Sequence, residues 1–375
     1  MFYFLLMLIC YPILCPLRVL RMRKGRGDAK RFLIYQTAKI GDLVCTTHIF
    51  RAVKRKYPKS HVTVIVSQYT EPMLRNNLRV DDTIIVNNGL KGLREKVIFS
   101  RKLLDGFYDV AIVLIPNPAF VFMSIFALIP DIVTVVPDNI GITQRAVSLF
   151  CKRVKHCTGS LTMETYLRAL ELLGIENGDF KKEVFFTSED KENALQFMIK
   201  SGAVPSKDKC IGFFVSSGNK MKALELRNIL YLTEGLIKKF NAKVVLFGTP
   251  GDSEVSSRII QSLKTPNVVN ACGLFSLSEL PAAISLLDLV IGVDTGPIYI
   301  ADASDIPLVV IAGPCDIGDQ RPIGENVRII KSNCSCAPCS HTYFTPYKCR
   351  RGDRICLTNL NNGEILSASG ELLKR

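Results

Sequence analysis

The sequence predicts an α/β fold made of two doubly wound, Rossmann-like domains. Three observations predict it. Short unbroken apolar runs recur along the chain, as expected of strands buried on both faces of a parallel sheet. Helix-length segments separate these runs, and polar turns bearing glycine close several of them in both halves. At 375 residues the chain has room for two hydrophobic cores.

In order, Phe32 to Tyr35 is a strand and Gln36 to Asp42 a polar turn. A helix follows from Leu43 to Tyr57, and Pro58 ends it. Val62 to Val66 and Thr83 to Val86 are strands. Lys91 to Leu104 carries Leu93, Val97, Ile98 and Leu104 on one stripe and reads as an amphipathic helix. Val110 to Ile115 is a strand stopped by Pro116, Phe120 to Ile129 a helix on the sheet, and Ile132 to Val136 a strand. Glu164 to Leu173 is a helix ended by Gly174. The polar run from Ile175 to Ser188, with Asn177, Gly178, Asp179, Lys181 and Lys182, marks the domain boundary. The second half repeats the alternation: strands at Cys210 to Val215, Val244 to Phe247 and Leu308 to Ile311, and helices at Leu226 to Phe240, Val255 to Leu263 and Leu277 to Leu287. The expected segments are 1–30, 31–180, 181–357 and a tail at 358–375.

The net charge of +14 calls for an anionic partner. Basic residues do not interleave with aromatics, and no recognition-helix or zinc-finger pattern is present, so nucleic acid is not expected. Phe2 to Leu17 is almost wholly apolar but contains Pro12 and Pro16. It is short for a bilayer span, which takes roughly 20 residues. Its charges (Arg18, Arg21, Arg23, Lys24, Arg26, Lys30 and Arg31) come after the apolar run, the reverse of a secretory signal. The expectation is a membrane-associating N-terminus with its basic flank on the anionic cytoplasmic side. The competing reading is a hydrophobic element packed on the protein. Eight of the 13 cysteines are scattered singly, as suits a reducing compartment.

Leu289 to Ala301 concentrates the chemistry. Leu289-Val290-Ile291-Gly292-Val293 runs into Asp294-Thr295-Gly296-Pro297 and then a helix-compatible stretch. This is a buried strand leading to a helix N-terminus, with Pro297 at an early position where its missing N–H is harmless. Such a terminus favours phosphate, and strand ends of open α/β sheets bind ligands. An ordinary Asp/Thr helix cap would look the same. Two such domains facing a central cleft form the two-domain glycosyltransferase architecture called GT-B.

Several motifs resemble those of the lipopolysaccharide heptosyltransferases, glycosyltransferase family nine. They are Lys39-Ile40-Gly41-Asp42-Leu43-Val44-Cys45-Thr46-Thr47 closing at Tyr57-Pro58, Ser216-Ser217-Gly218-Asn219-Lys220-Met221-Lys222, Leu246 to Asp252, Asp294-Thr295-Gly296-Pro297, and Pro307 to Pro314. Their order and spacing agree with the family from about residue 31 to residue 357. The resemblance implies an inverting glycosyltransferase that moves a sugar, typically from ADP-heptose, onto lipopolysaccharide core or a related envelope glycan. It would work at the cytoplasmic face of the inner membrane, with an anionic glycolipid acceptor.

By resemblance Asp42 is the general base, which a displacement at the anomeric carbon requires. It would equally cap the helix at Leu43. Lys222 matches the lysine that meets the donor diphosphate, where a fixed cation stabilises the leaving group. Ser217, Gly218, Asp294, Thr295, Gly296 and Pro297 complete the implied donor site, and Gly41, Thr46 and Thr47 an acceptor-side loop. No metal cofactor is required by such a site. The sequence departs from the family at Val215-Ser216, Leu224-Glu225, Tyr299 and Gln320-Arg321-Pro322, in place of Pro-Gly, Trp-Pro, His and Trp. These departures leave room for a nucleotide-sugar-binding scaffold without turnover or, more remotely, a nucleotide-sugar epimerase. In the Cys-rich loop 334–356, Cys336, Cys339, Cys349 and Cys356 have a spacing that could hold a structural zinc, with His341 as a substitute ligand. Reduced structural thiols are the alternative.

Overall fold

A computed structural model describes residues 2–22, 29–86, 90–176 and 178–374. Arg23, Lys24, Arg26 and Asn177 lie outside the described residues. The chain divides into two compact units, Met1–Lys181 and Lys182–Arg375.

The first unit begins with helix α1 (Phe2–Met22). It continues as β1 (Arg31–Tyr35), α2 (Ile40–Val44), α3 (Thr47–Lys56), β2 (His61–Val66), β3 (Asp82–Ile85), α4 (Leu93–Asp105), β4 (Val110–Val113), α5 (Pro118–Phe126), β5 (Asp131–Pro137), α6 (Ile142–Ser148), β6 (Lys152–His156) and α7 (Thr162–Glu171). Its sheet has the order β3-β2-β1-β4-β5-β6, and neighbouring strands are parallel. The apolar runs at β1, β2 and β4 are buried on both faces, as their composition demands.

The helix expected from Leu43 to Tyr57 is two helices. Thr46 Oγ1 donates to the Asp42 carbonyl at 2.8 Å and Thr47 Oγ1 to the Val44 carbonyl at 2.7 Å. Hydroxyls bonded back to the preceding turn compete with backbone amides for those carbonyls and bend or break a helix. Helix α5 starts two residues before its expected position, because Asn117 Oδ1 accepts from the Ala119 amide and Pro118 fits the first turn. Strand β6 escaped notice in the sequence because Lys-Arg-Val-Lys-His is mostly polar; it is an edge strand whose outward residues are exposed.

The second unit runs α8 (Ser188–Lys200), β7 (Lys209–Phe214), α9 (Leu226–Phe240), β8 (Ala242–Phe247), α10 (Ser253–Leu263), β9 (Val268–Asn270), α11 (Leu280–Ile284), β10 (Leu289–Val293), α12 (Gly296–Ala303), β11 (Leu308–Ile311), β12 (Val327–Ile330), α13 (Ile355–Thr358) and α14 (Asn362–Leu372). Its sheet order, β12-β11-β10-β7-β8-β9, repeats the topology of the first unit. The polar boundary run leads into α8 through a capping box: the Asp190 amide donates to Thr187 Oγ1 and the Thr187 amide to Asp190 Oδ2. Lys182 at the boundary is not a solvated charge. Its Nζ lies 2.6 Å from Asp302 Oδ2, and the two side chains are 1% and 3% exposed. The Asp302 carboxylate also accepts from the Ile323 and Gly324 amides. That ties the start of the second unit to α12.

The expected tail at 358–375 is corrected by the structure. Helix α14 packs against α9, β11 and β12, with Ile365, Leu366 and Leu372 buried in the core. Gly235 on α9 makes the approach close, since a Cβ there would stand 2.6 Å from Leu366 Cδ1. Leaving this face of the sheet bare would expose the apolar undersides of β11 and β12. Ile365→Ala is therefore expected to cost about 2–5 kcal/mol of stability in urea unfolding. A cost near zero would mean that α14 behaves as a frayed tail.

Candidate functional site

A doubly wound sheet opens a crevice where its strand order reverses, because connections leaving the two central strands cross to opposite faces. In the second unit those strands are β7 and β10. The segments after them carry the residues singled out in the sequence.

After β10, Asp294 leads to Thr295 in extended conformation and α12 begins at Gly296, with Pro297 in its first turn. The Thr295 side chain does not cap the helix. Its hydroxyl donates instead to the Val293 carbonyl at 3.2 Å. Gly292 lets the strand pass the helix closely, since a Cβ there would come within 3.1 Å of Ile298 and 3.3 Å of Phe214.

After β7, Ser217 and Gly218 lead into a tight 3-10 turn, Lys220–Lys222. Asn219 builds that turn. Its Oδ1 accepts from the Met221 amide, and its Nδ2 donates to the Pro346 carbonyl at 2.9 Å. Ser217 Oγ accepts from the Asn219 amide at 3.3 Å. A Cβ at Gly218 would meet nothing within 4 Å, so packing does not require the glycine and the backbone there is open to approach.

The turn delivers Lys222 to Asp294, with Nζ 2.7 Å from Oδ2 and side chains 14% and 17% exposed. The Tyr299 hydroxyl, from the first turns of α12, donates to Asp294 Oδ1 at 2.6 Å. The Cys315 thiol, in the turn after β11, joins the same network. Burial works against both charges. The Asp294 carboxylate nevertheless outweighs it at Lys222 and holds the ammonium above the ordinary lysine range. Burial likewise opposes the Asp294 charge, but Lys222 and the hydrogen bonds from Lys222 and Tyr299 hold its carboxyl below the ordinary range. Cys315 is pushed up, first by burial and then by Asp294, and so stays a neutral thiol. The result is one fixed cation with a bound counter-ion beside a helix N-terminus. Tyr299 and Cys315 were not among the expected site residues. In the sequence Tyr299 is visible only as a departure from the family, and Cys315 only as one of the singly scattered cysteines.

In the first unit the turn after β1 is held by Gln36, whose Nε2 donates to Thr46 Oγ1 at 2.8 Å and to the Asp42 carbonyl and Tyr166 hydroxyl at 3.4 Å. Asp42 stands in the first turn of α2, and its Oδ2 accepts from the Lys39 amide at 3.1 Å. The carboxylate thus does serve as a cap, and it remains partly exposed. Gly41 is buried. Thr46 and Thr47 are buried as well, with their hydroxyls spent on backbone carbonyls. They support the turn rather than line it.

The cysteine loop does not assemble the zinc site expected of Cys336, Cys339, Cys349 and Cys356. Among the described residues no three His, Cys, Asp or Glu side chains converge as metal ligands. Cys356 is buried at 7% exposure against the core of the second unit. Burial, then the neighbouring Cys334, Cys339, Cys336 and Cys349 thiols, push it up to about 12. The short sulfur–sulfur approach is Cys334 to Cys336, at 3.6 Å. His341 faces Asp316 at 3.1 Å rather than the thiols.

The Lys222–Asp294 pair sets a pH dependence. A lowered carboxyl pKa stabilises the fold above the unfolded value near 3.9, and that contribution is lost as pH falls through the folded value. A raised lysine pKa stabilises below the unfolded value near 10.4, with loss as pH rises past the folded value. Asp294→Asn is expected to cost about 1–3 kcal/mol at pH 7 by leaving the ammonium without its counter-charge. Urea midpoints of variant and wild type should converge only as pH falls through the folded Asp294 value, which lies below the ordinary carboxylate value near 3.9, because wild-type Asp294 becomes neutral only there. A difference that persists unchanged at lower pH would separate the cost from charge.

Comparisons with known proteins agree with this geometry. The family described as "Glycosyltransferase family 9 (heptosyltransferase)" matches residues 99–348. Lipopolysaccharide heptosyltransferase 3 of Escherichia coli is 22% identical over 76% of this chain and 84% of its own length. Lipopolysaccharide heptosyltransferase 2 of Salmonella typhimurium is 24% identical over 80% and 88%. Among solved structures, a glycosyl transferase family 9 protein from Veillonella parvula superposes with a TM-score of 0.76 at 19% identity, covering 92% of this chain and 98% of that one. The ADP-heptose lps heptosyltransferase II of E. coli gives 0.69 at 19% identity, with the same coverage. Two six-stranded parallel sheets of matching topology are the GT-B arrangement, and the chain belongs to glycosyltransferase family 9, the heptosyltransferase family.

Proposed function

We propose that this glycosyltransferase moves a heptose from ADP-heptose, with inversion, onto an anionic core glycolipid at the cytoplasmic face of the inner membrane. The observation that carries the reading is the Lys222–Asp294–Tyr299 network at the start of α12, beside the switch point of the second sheet. Lys222 is held charged and fixed before any ligand arrives. Its remaining N–H groups suit the donor diphosphate, and the start of α12 offers backbone amides to the same phosphates. The charged partner of Lys222 is the Asp294 carboxylate, so the bound donor would meet a cation that is oriented but already half compensated. That favours the leaving diphosphate, whose charge grows in the transition state, over the intact donor.

In the transfer itself, an acceptor hydroxyl oxygen forms a bond to the anomeric carbon as the bond from that carbon to the phosphate oxygen breaks. The electron pair leaves with ADP, and the proton passes to the Asp42 carboxylate. Lys222 and the helix start do the work that a metal would otherwise do, so the reaction runs without one. The net charge of +14 fits an acidic acceptor and membrane surface without any nucleic acid partner. The heptosyltransferase relatives support both donor and acceptor class.

Two variants test the assignment with ADP-heptose and a truncated lipopolysaccharide acceptor. Asp42→Asn should lower kcat by roughly 10²–10⁴-fold with little change in donor affinity. An unaffected kcat would remove Asp42 as base. Lys222→Ala should weaken ADP binding in calorimetry and also lower kcat, because the lost interaction serves ground state and leaving group together. Equal ADP binding by Lys222→Ala and wild type would place the diphosphate elsewhere. Donor binding by wild type without any transfer would favour a scaffold.

A further inference from the structure

Helix α1 has two apolar faces, and only one is used by the fold. The inner face, with Tyr3, Phe4, Met7, Tyr11 and Leu14, packs into the core of the first unit against α5 and α6. Tyr11 and Phe150 meet at 4.9 Å between ring centroids, and Met7 is 1% exposed. The outer face carries Leu5, Leu8, Ile9, Ile13, Leu17 and Leu20, at helical spacing and all exposed, with Ile9 at 73% and Ile13 at 70%. No charged residue interrupts that stripe along a helix of 21 residues, about 30 Å long. Leu149, next to Phe150, and Phe107, over which the Arg21 guanidinium lies at 5.1 Å, are exposed as well.

The helix is also tied down at its far end. Arg18 is buried and donates to the Ile129 carbonyl at 2.8 Å and the Pro130 carbonyl at 3.0 Å. Arg21 donates to the Ala127 carbonyl at 3.0 Å. These carbonyls lie at and just beyond the C-terminal end of α5, where helix carbonyls lack amide partners and the dipole favours cations.

We propose that α1 is an in-plane membrane helix: it stays docked on the first unit and buries its outer face, Leu5 to Leu20, in the headgroup–acyl boundary of an anionic bilayer. This rests on the membrane-surface reading above and specifies how the surface is met. Crossing the bilayer instead would require α1 to peel off the domain, uncover its aromatic bed and break the Arg18 and Arg21 bonds. Pro12 and Pro16, both on the outer side, deprive the Leu8 and Pro12 carbonyls of the amide that an unbroken helix supplies. Interfacial water satisfies such carbonyls, and hydrocarbon does not. Charge chooses the lipid. Arg18 and Arg21 face inward, but Arg23, Lys24 and Arg26 follow at once in the sequence, suited to anionic headgroups. A second copy of the chain is a poorer occupant, because one helix face offers far fewer residues than the roughly 20 a side of a stable interface.

The test uses the full chain and flotation with vesicles of phosphatidylethanolamine and phosphatidylglycerol. Wild type should float, and the double variant Ile9→Glu, Ile13→Glu should lose at least tenfold in bound fraction while keeping its thermal unfolding and ADP binding. Equal flotation of wild type and the double variant would overturn the in-plane helix and leave membrane association intact. Wild type that never floats would sink the membrane reading itself. A protease-cleavable tag at the N-terminus should resist protease added to spheroplasts, and cleavage there would show a spanning helix. A wild-type dimer in vesicle-free buffer that the double variant converts to monomer would give the outer face to a second copy, against the proposal.

Discussion

The constraint on which the structure depends is the winding of each sheet outward from two central strands. Parallel strands cannot be joined by tight turns, so every connection crosses a face of the sheet. When connections from β1 and β4, or from β7 and β10, leave toward opposite faces, the strand ends between them stay uncovered. Apolar residues along both faces of the central strands make that arrangement stable. The uncovered carboxyl ends then receive whatever polar residues follow. Asp42 in the first unit and Asp294 with Lys222 in the second stand where they do because β1, β10 and β7 end there.

That placement carries an electrostatic consequence. A lysine at a partly buried strand end would lose its proton more readily if it stood alone. Asp294 prevents this, and Tyr299 and Cys315 supply the carboxylate with neutral donors that do not compete for the charge. In the proposed transfer the cation would therefore be charged and oriented before a phosphate approaches, with little reorganisation left for the reaction. The same logic of paired burial appears at Lys182 and Asp302, but there the pair is sealed inside and anchors the chain. Exposure separates the two roles: a sealed pair has no face left for a ligand.

Terminal helices complete both units in different ways. α14 buries its apolar face fully and closes the second core. α1 has more apolar surface than its unit can cover, and its two arginines hold it against α5 despite two prolines. Excess apolar surface beside a basic segment is the feature on which the proposed in-plane membrane helix rests.

Much of this was legible in the amino-acid order. Unbroken apolar runs identify parallel strands because both of their faces are buried, and Asp294-Thr295-Gly296-Pro297 after such a run identifies a helix start at a strand end. What the order alone could not supply depends on contacts between distant residues. Thr46 and Thr47 looked like lining groups, yet their hydroxyls bond the preceding turn, since buried hydroxyls need acceptors and carbonyls were nearest. The segment at 358–375 looked like a tail because its apolar residues alternate with Ser and Gly, and only the bare face of the second sheet makes it a core helix. The cysteine spacing suggested metal, but Cys356 packs into the core of the second unit, and among the described residues no three candidate ligands converge. Strand order, and with it the meeting of Lys222, Asp294, Tyr299 and Cys315, was decided by tertiary packing. Local sequence determines which segments are strands and helices, because side-chain burial is periodic along the chain. Which strand ends lie side by side is set only when the sheet is assembled, because that depends on which apolar faces find each other.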